Sequence, residues 1–215
     1  IFFHNRLAIT DALLFANLTA AYYFVLLIVK NKNFWPVLGL ALFFFLAIMS
    51  KTPALLFIPA FYGAIFFEEK LNRQLLINKT LKISLGLVLA GLAFASFKSE
   101  PLFSQLFAVG SNFLQDKSVI FSAKIWPVML RNANFFAEQL MIYLGPIVLV
   151  LALPAFKKTR RKQSVLFCSA IIFILPFVLF GKIIYPRYIL ASSLFFLSSA
   201  AITLHNLRDK KIIQR

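Results

Sequence analysis

Acidic residues are scarce in this chain: seven Asp and Glu stand against 23 Lys and Arg, giving a formal net charge of +16. Few carboxylates are therefore available for acid–base chemistry or for holding a cation. Cysteine is scarcer still. The single Cys168 rules out a disulfide framework, a cysteine zinc site or a redox pair built from this chain alone. Within its apolar run it reads as a small buried hydrophobe. The chain opens on isoleucine, with no charged n-region leading into a signal-peptide core and cleavage site. It reads as the later part of something longer. So large an excess of Lys and Arg would point to nucleic acid if the charges clustered on one face. Here they fall between apolar runs, as loops obeying the positive-inside rule do, and no nucleic-acid partner is expected.

What is abundant is hydrocarbon. Hydrophobic residues make up 61% of the chain, 27 of them Phe, with a mean hydropathy of +0.85; soluble domains carry about 45 to 50% apolar residues. Apolar runs near the roughly 18 residues needed to cross a bilayer recur along the sequence. The expected fold is all-α, a polytopic transmembrane helix bundle. Its seven spans are expected at about 12–29, 35–50, 53–67, 81–97, 135–156, 165–181 and 188–205. Fifteen Lys and Arg fall on one side of this arrangement, including the run "KKTRRK", and eight on the other. The richer side is read as cytoplasmic, with the C-terminus there and the protein in the cell membrane.

The stretch "MSKTPALLF" decides the topology. It places Lys51 and Pro53 inside a run that is otherwise apolar from Phe34 to Phe67. A single helix of that length would extend about 51 Å at 1.5 Å per residue, against a hydrocarbon core of about 30 Å. It would also bury Lys51 near the bilayer centre at a cost of roughly 2.5 to 3.5 kcal/mol or more. Proline removes a helical hydrogen bond and disfavours helix at the residue before it. Two short spans joined by an outward turn at Ser50-Lys51-Thr52 are expected instead.

The outer loop 98–134 keeps an apolar rhythm. Leu102, Phe103, Leu106 and Phe107 share one helical face, and Ile125, Trp126, Met129 and Leu130 share another. Short helices in the outer interface would fit, with Trp126 at headgroup depth. Three clusters mark the outward ends of spans: "HNRLAITD", "SKTP" and "KIIYPRY". An outer pocket collecting Arg6, Asp11, Lys51, Lys182, Tyr185, Arg187 and Tyr188 would suit a phosphate attached to a lipid, since cations and phenols neutralise and bond the anion. Each of these residues is also an ordinary snorkelling cation or interfacial aromatic.

In their order and spacing, "NRLAITDALL", "LALFFFLAIMSKTPALL" and "YPRYIL" resemble the bacterial membrane glycosyltransferases of the GT-C superfamily, which include protein O-mannosyltransferases and the lipid A aminoarabinose transferase. The resemblance runs over nearly the whole chain. It implies a polyprenyl-phosphate-linked sugar donor and transfer of a hexosyl or pentosyl group. The acceptor would be a lipid, glycan or protein at the outer membrane face. It also implies a catalytic carboxylate in a first outer loop, which would lie upstream of Ile1. By resemblance, Lys51, Arg187, Tyr188 and Arg6 would bind the lipid phosphate. The turn departs from the commoner family pattern in having no glycine after Lys51.

Within the chain, Asp11 and Glu138 are the candidate catalytic carboxylates. Asp11 reads equally as a helix N-terminal acid favoured by the macrodipole, with Thr10 as cap. Glu138 reads equally as an interfacial solvated acid, and Glu100 and Asp116 as loop acids. The sequence points to no cofactor and leaves a divalent metal open. Two other function classes fit the composition. A transporter or lipid flippase would need mid-bilayer ionisable residues or internal repeats, and neither is visible. A non-catalytic subunit would present "KKTRRK" to anionic membrane lipids.

Overall fold

The computed structural model describes residues 2–31, 33–67, 72–99, 115–154, 159–182 and 189–213, with side chains described for these except at 2–10, 52, 117, 191 and 209–213. Every regular element among them is helical. The all-α expectation holds. The chain divides into two compact units, Ile1–Asn112 and Phe113–Arg215.

The first unit begins with α1, Phe2–Lys30, a 29-residue helix containing neither Gly nor Pro. It starts ten residues before the expected span. The polar Asn31 and Asn33 close it, and α2, Trp35–Ser50, restarts with Pro36 in its first turn, where the missing N–H is not needed. Leu18, Tyr22, Val25 and Ile28 form a buried stripe on α1, and Val37, Leu40, Phe44 and Ile48 one on α2. The approach of the two helices is close. A Cβ on Gly39 would come within 2.4 Å of the Phe24 ring, which itself stacks on Phe43 and meets Trp35 edge-on.

After Ser50 the chain turns back. Phe61 lies against Phe44 with ring centroids 5.2 Å apart, and Tyr22 meets both Phe57 and Phe61. A single helix through Phe34 to Phe67 would carry Phe61 far from Phe44, so the reversal expected at Lys51 is present. The stretch beyond is not the regular helix expected over 53–67. It runs as a 3₁₀ turn at Thr52–Phe57, α3 at Ile58–Gly63 and a second 3₁₀ turn at Ala64–Phe67. Pro53 and Pro59 both lack the N–H that a continuous α-ladder would use, so the helix restarts at each.

Among the described residues of this unit the last long helix is α4, Arg73–Ala95, capped by the Asn72 side chain accepting from the Leu75 N–H at 2.7 Å. It packs along α2 and also touches α1. Lys79, only 8% exposed, donates to the carbonyl of Val29, and Lys82 donates to the carbonyl of Asn33 at 3.3 Å. Val29 lies in the last turn of α1, where carbonyls lack helical partners and the dipole favours a cation.

In the second unit, α5 is a single turn at Lys117–Ile120, followed by α6, Ile125–Ala152. Ile125 to Leu130, expected as a separate interfacial helix, forms the first turns of α6; Leu102 to Phe107 lies outside the described residues. α6 breaks at Gly145, with φ 73° and ψ 157°, immediately before Pro146. That backbone region is nearly exclusive to glycine. No atom lies within 4 Å of where a Cβ would sit, so conformation and not crowding requires the glycine.

α7, Arg160–Phe180, and α8, Ile189–Ile213, pack with α6 and with each other. Fully buried Gln163 joins them, donating to Thr203 Oγ1 at 2.5 Å and to the Ser199 carbonyl at 3.4 Å. Ser199 Oγ in turn donates to the Ala152 carbonyl at 2.6 Å, satisfying one of the last carbonyls of α6. Cys168 is exposed, contrary to expectation. The buried face of α7 carries Leu166, Ala170, Phe173 and Ile174, and residue 168 falls on the opposite side.

Among the described residues, four helical stretches are long and apolar enough to cross a membrane: Asp11–Lys30, Arg73–Ser99, Ile125–Ala152 and Arg160–Phe180. Their outward faces are apolar as well. Leu81, Leu85, Val88 and Leu92 form an exposed stripe on α4, and Met141, Ile142, Ile147 and Val150 are exposed on α6. A helix apolar all round belongs inside a large core or in lipid.

Candidate functional site

Lys51 owes its position to the end of α2. Its N–H still bonds the Ala47 carbonyl at 3.0 Å, yet its own backbone is extended, φ −161° and ψ 136°. Its carbonyl accepts from Ala54 N at 3.1 Å, starting the 3₁₀ turn. The residue is thus a corner between two helical directions. From it, Nζ reaches Asp11 Oδ1 on α1 in an ion pair. The two side chains are only 18% and 14% exposed.

The clusters "HNRLAITD" and "SKTP", forty residues apart, therefore meet through Asp11 and Lys51. One expectation is corrected. Asp11 does not open a helix, because α1 begins at Phe2, so neither the macrodipole nor a Thr10 cap accounts for it. It pairs with Lys51 instead. Arg6 falls on the same helix, and its side chain lies outside the described residues.

The remaining candidates belong to the second unit. Lys182 follows the end of α7 and pairs with Asp116 at 3.7 Å, with side chains 49% and 71% exposed. An exposed pair of this kind contributes roughly 0 to 1 kcal/mol. Tyr185, Arg187 and Tyr188 lie outside the described residues, as does Glu100. Glu138 is exposed on α6.

A polar cluster that sequence reasoning passed over surrounds the end of α7. Asn132 on α6 is fully buried, and its amide nitrogen donates to the carbonyls of Phe177, Val178 and Gly181 at 3.3, 3.2 and 2.9 Å. Gln115 adds its own donors, backbone N to Phe180 O at 2.8 Å and Nε2 to Gly181 O at 3.1 Å. On the other side of the same amide, Asn132 Oδ1 accepts from Arg131 Nε and Nη2 at 3.4 and 3.2 Å. The signal available in sequence was "RNANFF", where an amide-bearing residue precedes an apolar helical run.

Chemically, Asp11 and Lys51 offer a fixed ammonium with three donors, one of which meets a carboxylate. Such a group can receive an anion without first being ordered. Comparison with protein-family models, with curated proteins and with solved structures returned no match.

Proposed function

We propose that this chain is part of an integral membrane glycosyltransferase, a bundle of seven spans that moves a sugar from a polyprenyl-phosphate donor to an acceptor at the outer face of the cell membrane. Under this reading the fifteen-cation side is cytoplasmic and the Lys51 corner faces outward. The anomeric carbon–oxygen bond to the phosphate breaks, and the departing phosphate oxygen keeps the electron pair. The acceptor hydroxyl oxygen bonds the anomeric carbon, and its proton passes to a carboxylate, by resemblance one upstream of Ile1. Lys51, held by Asp11, stabilises the charge that develops on the phosphate, an effect strongest where water is excluded. Lys182, Tyr185, Arg187 and Tyr188 are the second unit's candidates for phosphate binding.

The observation that carries the proposal is the ion pair of Asp11 with Lys51, formed by two of the quoted clusters at a chain reversal among apolar helices. The test is sugar transfer from a polyprenyl-phosphate donor by the full-length protein in membranes. Lys51→Ala is expected to lower the rate about 100-fold, the scale of losing one charge-stabilising donor. Unchanged rates in both Lys51→Ala and Arg187→Ala would sink the role.

The break in α6 at Gly145 and Pro146 favours a second reading, a lipid flippase or transporter, because interrupted helices are a recurring device of transport sites. Counterflow of a lipid-linked substrate without sugar transfer would establish it.

A further inference from the structure

The extension of α6 back to Ile125 changes the setting of one acid. Glu138, expected near the end of a span, lies at the middle of Ile125–Ala152, about 20 Å from either end at 1.5 Å per residue. It is exposed, and among the described residues no Lys or Arg forms an ion pair with it. An ionised carboxylate facing hydrocarbon at such depth is costly, so intramembrane acids face protein or water.

The exposed surface of α6 is divided to match. At about 100° per residue, Trp126, Leu130, Ala133, Ala137 and Met141 share one side, all of them exposed and none charged. Arg131, Asn134 and Glu138 share another, also exposed, and Ile142 and Gly145 continue it. The third side carries buried Asn132 and Phe136. Lipid all along the exposed surface would give no reason for polar residues to segregate.

The polar stripe ends at the break in the helix. Pro146 has no N–H to offer the Ile142 carbonyl, and Gly145, at φ 73° and ψ 157°, turns the chain out of the ladder. Non-helical backbone at membrane depth is tolerated only where protein buries it or water reaches it. Among the described residues, no atom lies within 4 Å of where a Gly145 Cβ would sit, which leaves water. Water also answers the needs of Glu138 and Asn134, and the stripe begins beside exposed Trp126, which marks headgroup depth. The inner end of the stripe, carboxylate and freed carbonyl, is made of acceptors, while Arg131 lies two turns nearer the boundary. One carboxylate balances one positive charge.

We infer that the side of α6 running from Arg131 through Asn134 and Glu138 to Gly145 lines a water-filled crevice, open at its Arg131 end, whose inner end draws a monovalent cation to Glu138. This inference is independent of sugar transfer and of the Lys51 corner.

The test uses the full-length protein in nanodiscs, in a Cys168→Ser background that removes the exposed native thiol. Single cysteines replace Asn134 and Ile142 on the stripe and Ala137 and Met141 on the apolar side, all exposed positions where the fold is expected to persist. Each is labelled with a trimethylammonium or a sulfonate methanethiosulfonate. The reacting thiolate forms only in water, so Asn134→Cys and Ile142→Cys are expected to react about 100-fold faster than Ala137→Cys and Met141→Cys. Equal rates at Ile142→Cys and Met141→Cys, neighbours in depth, overturn the crevice. At Ile142→Cys the cationic reagent is expected to react about tenfold faster than the anionic one, and Glu138→Gln to remove most of that preference. Equal rates for the two reagents with Glu138 in place overturn the attraction for cations, and a preference that survives Glu138→Gln overturns the role of Glu138. Slowing of the cationic reagent by sodium chloride, against N-methylglucamine chloride at the same ionic strength, assigns the inner end to an inorganic ion. Slowing by tetramethylammonium chloride assigns it to an organic ammonium group, and slowing by neither overturns the bound cation.

Discussion

Breaking the pair of Asp11 with Lys51 tests how the first unit is held together. Exposed ion pairs contribute roughly 0.2 to 1 kcal/mol. Removing one partner of a fully buried pair costs roughly 3 to 5 kcal/mol, because the other charge is stranded. With side chains 18% and 14% exposed, this pair lies between those limits. A coupling of about 2 kcal/mol is expected between the two residues. The assay is a double-mutant cycle of Asp11→Ala, Lys51→Ala and the double variant, with unfolding free energy measured by steric trapping in micelles. Each single variant should lose more than its share and the double less than the sum. Additivity within about 0.3 kcal/mol would refute the pairing and with it the convergence of the two clusters.

Other consequences are direct. Gly39→Val places side-chain atoms where the Phe24 ring already sits and is expected to cost roughly 1 to 3 kcal/mol by overpacking, read in the same unfolding assay; a neutral result would mean that α1 and α2 do not approach so closely. Gly145→Ala is expected to cost roughly 1 to 3 kcal/mol through backbone strain although it meets no neighbouring atom, whereas Gly91→Ala, also in open space but at an ordinary helical φ, should be neutral or stabilising. Equal effects at the two positions would remove the argument for an obligatory break in α6.

Much of the architecture follows from two simple signals, apolar length and the chemistry of proline. The reversal at Lys51 was legible because a 34-residue helix would overrun the bilayer and Pro53 forbids helix just before it. The same reasoning did not extend to Pro59, whose missing N–H splits the next segment into α and 3₁₀ turns. The early start of α1 was hidden because "HNRLAITD" is polar, and polarity marks the limit of an apolar run without marking the limit of a helix. That error misassigned Asp11 to a helix N-terminus. Lys79 and Lys82 looked like topology charges, yet both fasten carbonyls around the end of α1, which only the packing of α4 could reveal. Cys168 was misjudged for a reason peculiar to such chains. When every face of a helix is apolar, hydrophobicity no longer says which face is buried. Asn132 escaped notice because its partners are backbone carbonyls 45 to 49 residues away, and carbonyls leave no trace in side-chain composition.

Under the proposed function Lys51 grips a lipid phosphate and is more than a clasp for α1. Sugar transfer by the charge-swapped variant, Asp11→Lys with Lys51→Asp, separates the two most directly, because the swap retains an ion pair while moving the cation. Unfolding stability is expected to recover toward wild type while transfer stays reduced about 100-fold. Recovery of both stability and transfer would contradict it and leave the pair a structural clasp.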